Sequence, residues 1–480
     1  MIDSVWSQSF YGGRRYPRLR GEISADVAVI GGGMAGILCA DALVREGLSV
    51  AVLERARVGS GQTGGSTAKI TSQHGTVYHR LAKKSHRAAE LYAQANEWAV
   101  RAYVERIRRA GLECDLEERD AYVYALHSRM LLEREYRAQR EAGLAVRLTE
   151  GVGLPFENVG AIRLSGQAQF HPLKFLHAVA RDLQIFENST VVQVSGTDVY
   201  TAHGCVHAKY VVFACHYPFK NFPGLFFTRM HQEQECFLAL ERAPIPSGMW
   251  VSVEAEGVSL RSYGRLTLMG GMSHRTGEGM GGAYAALRRR AERYFAESRV
   301  VAHWSAQDCI TASGRPYIGR FCPTRPHWMI ATGFGKWGMT SSMISARLIA
   351  DLICERKNPW SALYSPTAHP FSEMRGIAGE TAHAVRGLAK VALSFPNESV
   401  DALAPGHGGI VYVDGQRAGA YKDLDGKVYA VRPVCTHLGC RLEWNSDDKT
   451  WDCPCHGSRF DFRGEPIAAP AKSPLLHVGE

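Results

Sequence analysis

No run of eighteen apolar residues occurs in the chain, which excludes a helix long enough to cross a bilayer. Residues 1–21 are polar and aromatic and lack the apolar core of a secretory signal, so a cytoplasmic protein is expected. Basic residues outnumber acidic ones by only nine in 480, and only Arg14-Arg15-Tyr16-Pro17-Arg18 interleaves them with an aromatic. Nucleic acid is therefore not an expected partner. The excess reads either as a solvated surface or as a patch for docking an acidic electron-transfer partner. Cysteine, in contrast, is plentiful, and its placement is informative. Eight of the twelve (Cys39, Cys114, Cys205, Cys215, Cys236, Cys309, Cys322 and Cys354) are scattered through mostly apolar segments and read as reduced core residues. The other four fall within 21 residues near the C-terminus. The length allows two or three domains.

Residues 25–75 carry the first chemistry. A β-branched strand, Val27-Ala28-Val29-Ile30, runs into Gly31-Gly32-Gly33-Met34-Ala35-Gly36. An apolar helical stretch follows to Gly47, then the strand Val50-Ala51-Val52-Leu53, then Glu54. Gly31 permits a tight turn, Gly33 lets the backbone approach a pyrophosphate, and Gly36 lets helix and strand pack closely. The helix start offers unpaired N–H groups and a positive dipole end to phosphate. Glu54 lies 18 residues past Gly36, where a carboxylate holds the hydroxyls of an adenosine ribose. Strand, turn, helix, strand and acid together predict a dinucleotide site. A second glycine- and hydroxyl-rich loop, Val58 to Ile70, offers further donors for a bulkier cofactor, or is simply flexible.

With that loop the sequence resembles the flavin-dependent amine and amino-acid oxidoreductases, the D-amino-acid oxidase superfamily. The resemblance implies FAD. It implies a fold in the α/β (α+β) class: a Rossmann-like FAD-binding domain with an inserted β-rich substrate domain. On this reading residues 1–24 are an N-terminal arm and 25–356 the oxidoreductase domain. Its FAD-binding parts are about 25–80, 150–225 and 308–356, and its substrate parts about 81–149 and 226–307. Residues 357–397 form a linker containing a helix at 371–392 with an apolar side. A second strand, glycine turn and helix start, from Trp328 through Gly333-Phe334-Gly335-Lys336-Trp337-Gly338-Met339-Thr340, resembles the superfamily's C-terminal flavin motif. A helix N-terminus there stabilises the negative charge of reduced flavin. The implied cofactor-binding set is Gly31, Gly33, Ala35, Gly36, Glu54, Arg55, Thr63, Ser66, Thr67, Val192 (its backbone reading adenine), Gly333, Gly338, Met339 and Thr340.

No catalytic residue is assigned. Arg261 and His274 lie on a hairpin about Gly264 and in the loop after it, segments the family sets over the flavin, and each reads equally as a pocket or a structural residue. Lys69 and Lys336 are further polar candidates by family position, against a structural reading. Where amino-acid oxidases carry an arginine for the substrate carboxylate, this chain aligns Asp308. An acid repels a carboxylate and attracts an ammonium. That favours amines and a likeness to the γ-glutamylputrescine and sarcosine oxidase branch, unless Asp308 is structural.

The C-terminal cysteines are the most specific signal. Cys435-Thr436-His437 and Cys453-Pro454-Cys455-His456 supply two thiolates and two imidazoles, with fifteen residues between the two motifs. Zinc accepts such a set, but a Cys-x-His start is not zinc-finger spacing. The stretch resembles the Rieske iron–sulfur domain, which implies a small all-β domain over 398–480. It also implies a 2Fe-2S cluster held by Cys435 and Cys453 on one iron and His437 and His456 on the other. The same resemblance implies a disulfide between Cys440 and Cys455 and a sulfur-directed hydrogen bond from Ser458. Phe460 stands where respiratory Rieske proteins carry a tyrosine, so one donor is lost and a potential below theirs is expected. Residues 469–471 correspond to the covering proline loop.

Two redox modules on one chain point to oxidation of a C–N bond in a small amine or amino acid. Electrons then pass from FAD through the cluster to an external protein or quinone-like acceptor. An NAD(P)H-driven reductase needs a second nucleotide fingerprint, and only one is found. A Rieske oxygenase needs a mononuclear iron motif after the cluster domain, and none follows. The NAD(P)H-driven reductase and a redox-sensing flavoprotein without catalysis remain the alternatives.

Overall fold

The glycine turn follows the central strand of a mixed sheet whose core strands are parallel. The computed structural model describes residues 3–10, 12–150, 153–279, 281–368, 378–379 and 399–479. The strand Gly21–Ile30 sits between Val50–Leu53 and Gly204–Phe213, parallel to both. Gln184–Phe186 extends one side; Trp328–Thr332 and then Tyr317–Arg320 extend the other. Val27, Val29, Val50 and Val52 are buried because helices cover the sheet, as a parallel sheet requires. The helices Met34–Arg45 and Gly338–Ile353 pack on each other. The first ends where Gly47, at φ +84°, lets Leu48 N–H return to the Leu43 carbonyl.

A second, nine-stranded sheet carries Glu117–Ala125, Gly160–Gln169, Met230–Glu241, Met249–Ser252, Ser259–Tyr263, Leu266–Arg275 and Arg299–Thr311. Tyr263 pairs with Leu266 across the turn at Gly264. The expected division of the chain changes in three places. Lys69–Ile70 and Gly160–Gln169 pair with each other in this second sheet, and Asp308 lies within its edge strand Arg299–Thr311. Alternation defines a strand but not the sheet it joins. The N-terminal segment is also more than an arm. Trp6 is fully buried and donates to the Ser66 carbonyl at 2.6 Å, and the first sheet already begins at Gly21. Of the helix expected at 371–392, only residues 378–379 fall among the described residues, and both are helical.

The C-terminal unit is all β. Three antiparallel strands (Gly408–Val413, Gln416–Lys422, Val428–Val431) form one sheet. Glu443–Asn445, Thr450–Asp452, Arg459–Asp461 and Pro466–Ala468 form another around the buried Trp451. This unit sits directly on the second sheet. Asp447 accepts the first N–H groups of the helix Ala283–Tyr294, and Asp448 accepts from Ser305, Gln234 and Arg459.

The closest approach of backbone to backbone at a glycine is at the turn. A Cβ on Gly36 would lie 1.9 Å from the Gly31 carbonyl oxygen, and one on Gly31 would lie 2.5 Å from the Ala214 carbonyl oxygen. Both obstacles are backbone and neither can move aside. Gly36→Ala is therefore expected to destabilise the chain by about 3 kcal/mol. Denaturant unfolding checks this, and an unshifted midpoint contradicts it.

Candidate active site and iron–sulfur site

A cavity of about 1510 Å³ opens along the first sheet. Gly31, Gly33, Ala35, Glu54, Arg55, Thr63, Ser66 and Thr67 line one end, and Gly338 and Met339 line the other. Two helices thus begin at its wall. Thr63 Oγ1 accepts the Met34 N–H at 3.0 Å, at the start of the first. Glu54 accepts the Gly32 and Ala56 N–H groups at 2.7 and 2.8 Å. Burial raises the Glu54 pKa, and these two N–H bonds oppose the rise.

Gly36 packs on Gly31 rather than lining the cavity, and five other expected residues fall elsewhere. Val191 lines the cavity, whereas Val192 is exposed and its carbonyl accepts from Lys472. Gly333 does not line it; its φ of +70° and a Cβ position 2.2 Å from Thr311 explain why glycine is needed there. Thr340 is buried, with its hydroxyl 3.4 Å from His74 Nε2. Arg261 is no pocket residue, because its guanidinium donates to the Thr67, Ala68 and Ser262 carbonyls. His274 lies in a separate hollow of about 260 Å³, bonded to the Met272 carbonyl.

Lys69, Asp308 and Lys336 do come together in the cavity, with two acids that sequence reasoning missed, Glu233 and Glu235. Glu233 is in register with Asp308 across paired strands. Lys336 Nζ lies 3.5 Å from Glu233 and 3.3 Å from Glu235. Burial alone would lower the Lys336 pKa, but Glu235, Asp308 and Glu233 outweigh it and raise it. Burial pushes Asp308 up to about 7 against the pull of Lys336. Glu233 is held down to about 2, first by its hydrogen bond with His231 and then by Lys336. Lys69 is pushed down to about 7 by burial, Glu235 partly opposing. Its ammonium opens on the cavity but is otherwise ringed by protein. The missed acids left a signal. His231-Gln232-Glu233-Gln234-Glu235 alternates charged and amide residues at strand period, so its two faces have different partners.

The amide face meets the C-terminal loops. Gln232 Nε2 donates to the His456 carbonyl at 2.8 Å, and Gln307 Nε2 to the Gly457 carbonyl at 2.9 Å. Arg275 donates to the Pro454 and Cys455 carbonyls. Within the loops, the Cys435 and Cys453 thiols are hydrogen-bonded to each other and buried, and Ser458 bonds to Cys435. The His437 and His456 rings stand 5.0 Å apart at 89°. Cys440 and Cys455 form a disulfide. His437 Nε2 meets Oδ1 of Asn221, in the segment after the strand Gly204–Phe213, at 2.7 Å.

Both donor sets fit their groups. A glycine-walled cleft at a helix start suits a dinucleotide, and two thiols with two imidazoles on facing loops suit a 2Fe-2S cluster. Together they define an FAD-dependent oxidoreductase with an iron–sulfur unit. The FAD dependent oxidoreductase family model matches residues 26–352, and the Rieske [2Fe-2S] domain model matches residues 395–478. The chain belongs to the FAD dependent oxidoreductase family, and it carries a Rieske domain at its C-terminal end. It is 32% identical to the Rieske 2Fe-2S iron-sulfur protein YhfW of Bacillus subtilis, over 96% of this chain and 95% of that one. A cytochrome b6-f complex iron-sulfur subunit of Synechococcus elongatus is 46% identical over 52 residues, 10% of this chain and 29% of that protein. In fold, the chain is similar to glycine oxidase from Geobacillus kaustophilus (TM-score 0.60, 22% identity, covering 72% of this chain and 99% of that one). It is also similar to L-proline dehydrogenase from P. horikoshii (TM-score 0.60, 17% identity, 73% and 97%).

Lys69 generates a pH prediction. Folded, it holds its proton only below about pH 7; unfolded, it keeps it up to the ordinary lysine value. Between those values the unfolded chain binds more protons, so stability rises with pH. The cost of the buried ammonium is complete only below that window. In flavin-stripped protein, Lys69→Met is expected to raise the melting temperature most at about pH 6, with the gain shrinking towards about pH 10. Thermal melts check this, and a gain that grows with pH contradicts it.

Proposed function

We propose that this chain oxidises a C–N bond of a small cationic amine or amino acid and delivers the electrons, through its own iron–sulfur unit, to an external acceptor. The observation that carries the proposal is the two-sided wall made by Met230–Glu241 and Arg299–Thr311. Glu233, Glu235 and Asp308 face the cavity from it, while Gln232, Gln234 and Gln307 bond to the iron–sulfur unit. FAD accepts the electron pair removed from the substrate, and a Rieske cluster carries one electron at a time. The residues have separate tasks. Glu54 and the first helix start hold the dinucleotide. Met339 and its neighbours at the second helix start would stabilise the negative charge that reduction places on a flavin ring. Glu235 and Asp308 orient a substrate ammonium, and Lys69, near neutrality, takes or returns a proton at Nζ. Cys435, Cys453, His437 and His456 hold the cluster. The cytoplasm is the proposed compartment: the eight cysteines outside the cluster loops are free, and the one disulfide among the described residues is buried.

An anaerobic titration with a panel of amines and amino acids, read by optical and EPR spectra, tests the proposal. One amine is expected to bleach the flavin and bring up a rhombic Rieske signal. Glu235→Gln is expected to weaken that amine's binding about tenfold, ~1.4 kcal/mol. A flavin that stays oxidised with every amine but is reduced by NADH would replace the reading with a reductase.

A further inference from the structure

The flavin fold does not close its cavity alone. Beside Glu54 and Val191, the wall is made by Ile467, Ala468, Ala469, Ala471 and Lys472, all from the iron–sulfur unit. Three ties hold this segment, each from a different part of the flavoprotein fold. Arg55 Nη2 donates to the Ile467 carbonyl at 2.8 Å. Gln232 Nε2 donates to the Ala469 carbonyl at 2.9 Å. Lys472 Nζ donates to the Val192 carbonyl at 3.0 Å and stands 5.0 Å from the centre of the Phe219 ring. Ala469 packs into the same apolar cluster as Cys215 and Phe219, at the end of the strand Gly204–Phe213.

We infer that the iron–sulfur unit is part of the FAD site: residues 466–472 form the wall that closes the dinucleotide in at its Glu54 end. Two consequences follow from linkage. Seating of the unit slows release of the dinucleotide, and the dinucleotide holds the unit in its seat by the same factor. The Rieske domain then has a binding role besides its redox role.

Hydrogen exchange on the full-length chain tests this, with the cluster in place and with FAD either bound or stripped. Exchange at the amides of residues 467–469 and 471–472 is expected to slow about tenfold on FAD binding, with Gly408–Val413 of the same unit unchanged. No change at 467–472, or equal slowing across the whole unit, overturns the assignment. A second arm uses Lys472→Ala combined with Asp447→Ala, which removes a tie to the cavity wall and the cap on the helix Ala283–Tyr294. FAD release, followed by flavin fluorescence on dilution, is expected to quicken about tenfold, ~1.4 kcal/mol, with an unaltered cluster EPR spectrum. Unaltered release overturns the inference.

Discussion

The architecture depends on one strand with two polar faces. In Met230–Glu241, residues 232 and 234 are amides buried at 1% and 2% exposure, while Glu233 and Glu235 look into the cavity. A buried amide without a partner costs about 1–3 kcal/mol, while one that is bonded contributes only about 1. Gln232, Gln234 and Gln307 are covered by the iron–sulfur unit, so their N–H groups need acceptors on that unit. The His456, Ala469 and Gly457 carbonyls and the Asp448 carboxylate provide them. These bonds add little to affinity but strongly penalise any other seating. They hold the cluster loops in one position against the sheet.

That seating has a chemical consequence. The carboxylates and the cluster loop lie on opposite sides of the same two strands, and Gln307 joins the sides: its backbone N–H donates to Gln62 Oε1 at 2.7 Å, and its side chain to Gly457. The cavity side concentrates charge. Glu233, Glu235 and Asp308 face Lys336 and Lys69, and burial disfavours the charged forms of Asp308 and Lys69 alike. The Pro454, Cys455, His456 and Gly457 carbonyls of the loops each accept from a side chain of the second sheet, while His437 reaches outward to Asn221.

Much of this was legible in the sequence because it rests on local chemistry. The Gly31 to Gly36 turn, the acid at Glu54, the second helix start at Gly338 and the cysteine–histidine spacing each need particular residues at particular offsets. What failed depended on distant partners. The strand is bulged between Val191 and Gln193, and it is Val191 rather than Val192 that lines the cavity. Arg261 suits a pocket in composition, but the Thr67, Ala68 and Phe170 carbonyls, from far along the chain, take its guanidinium. The same holds for Gly160–Gln169, whose alternation does not say which sheet it joins. Glu233 and Glu235 were visible as alternation, but their meaning needed the second surface that covers Gln232 and Gln234.

The central claim is that flavin and cluster work across a fixed wall within one chain. Flash photoreduction of the bound flavin, with no external acceptor, tests it most directly by following cluster reduction at several protein concentrations. The account predicts a first-order rate that is independent of concentration. A rate that rises in proportion to protein concentration would mean that electrons reach the cluster by collision between molecules, and would contradict it.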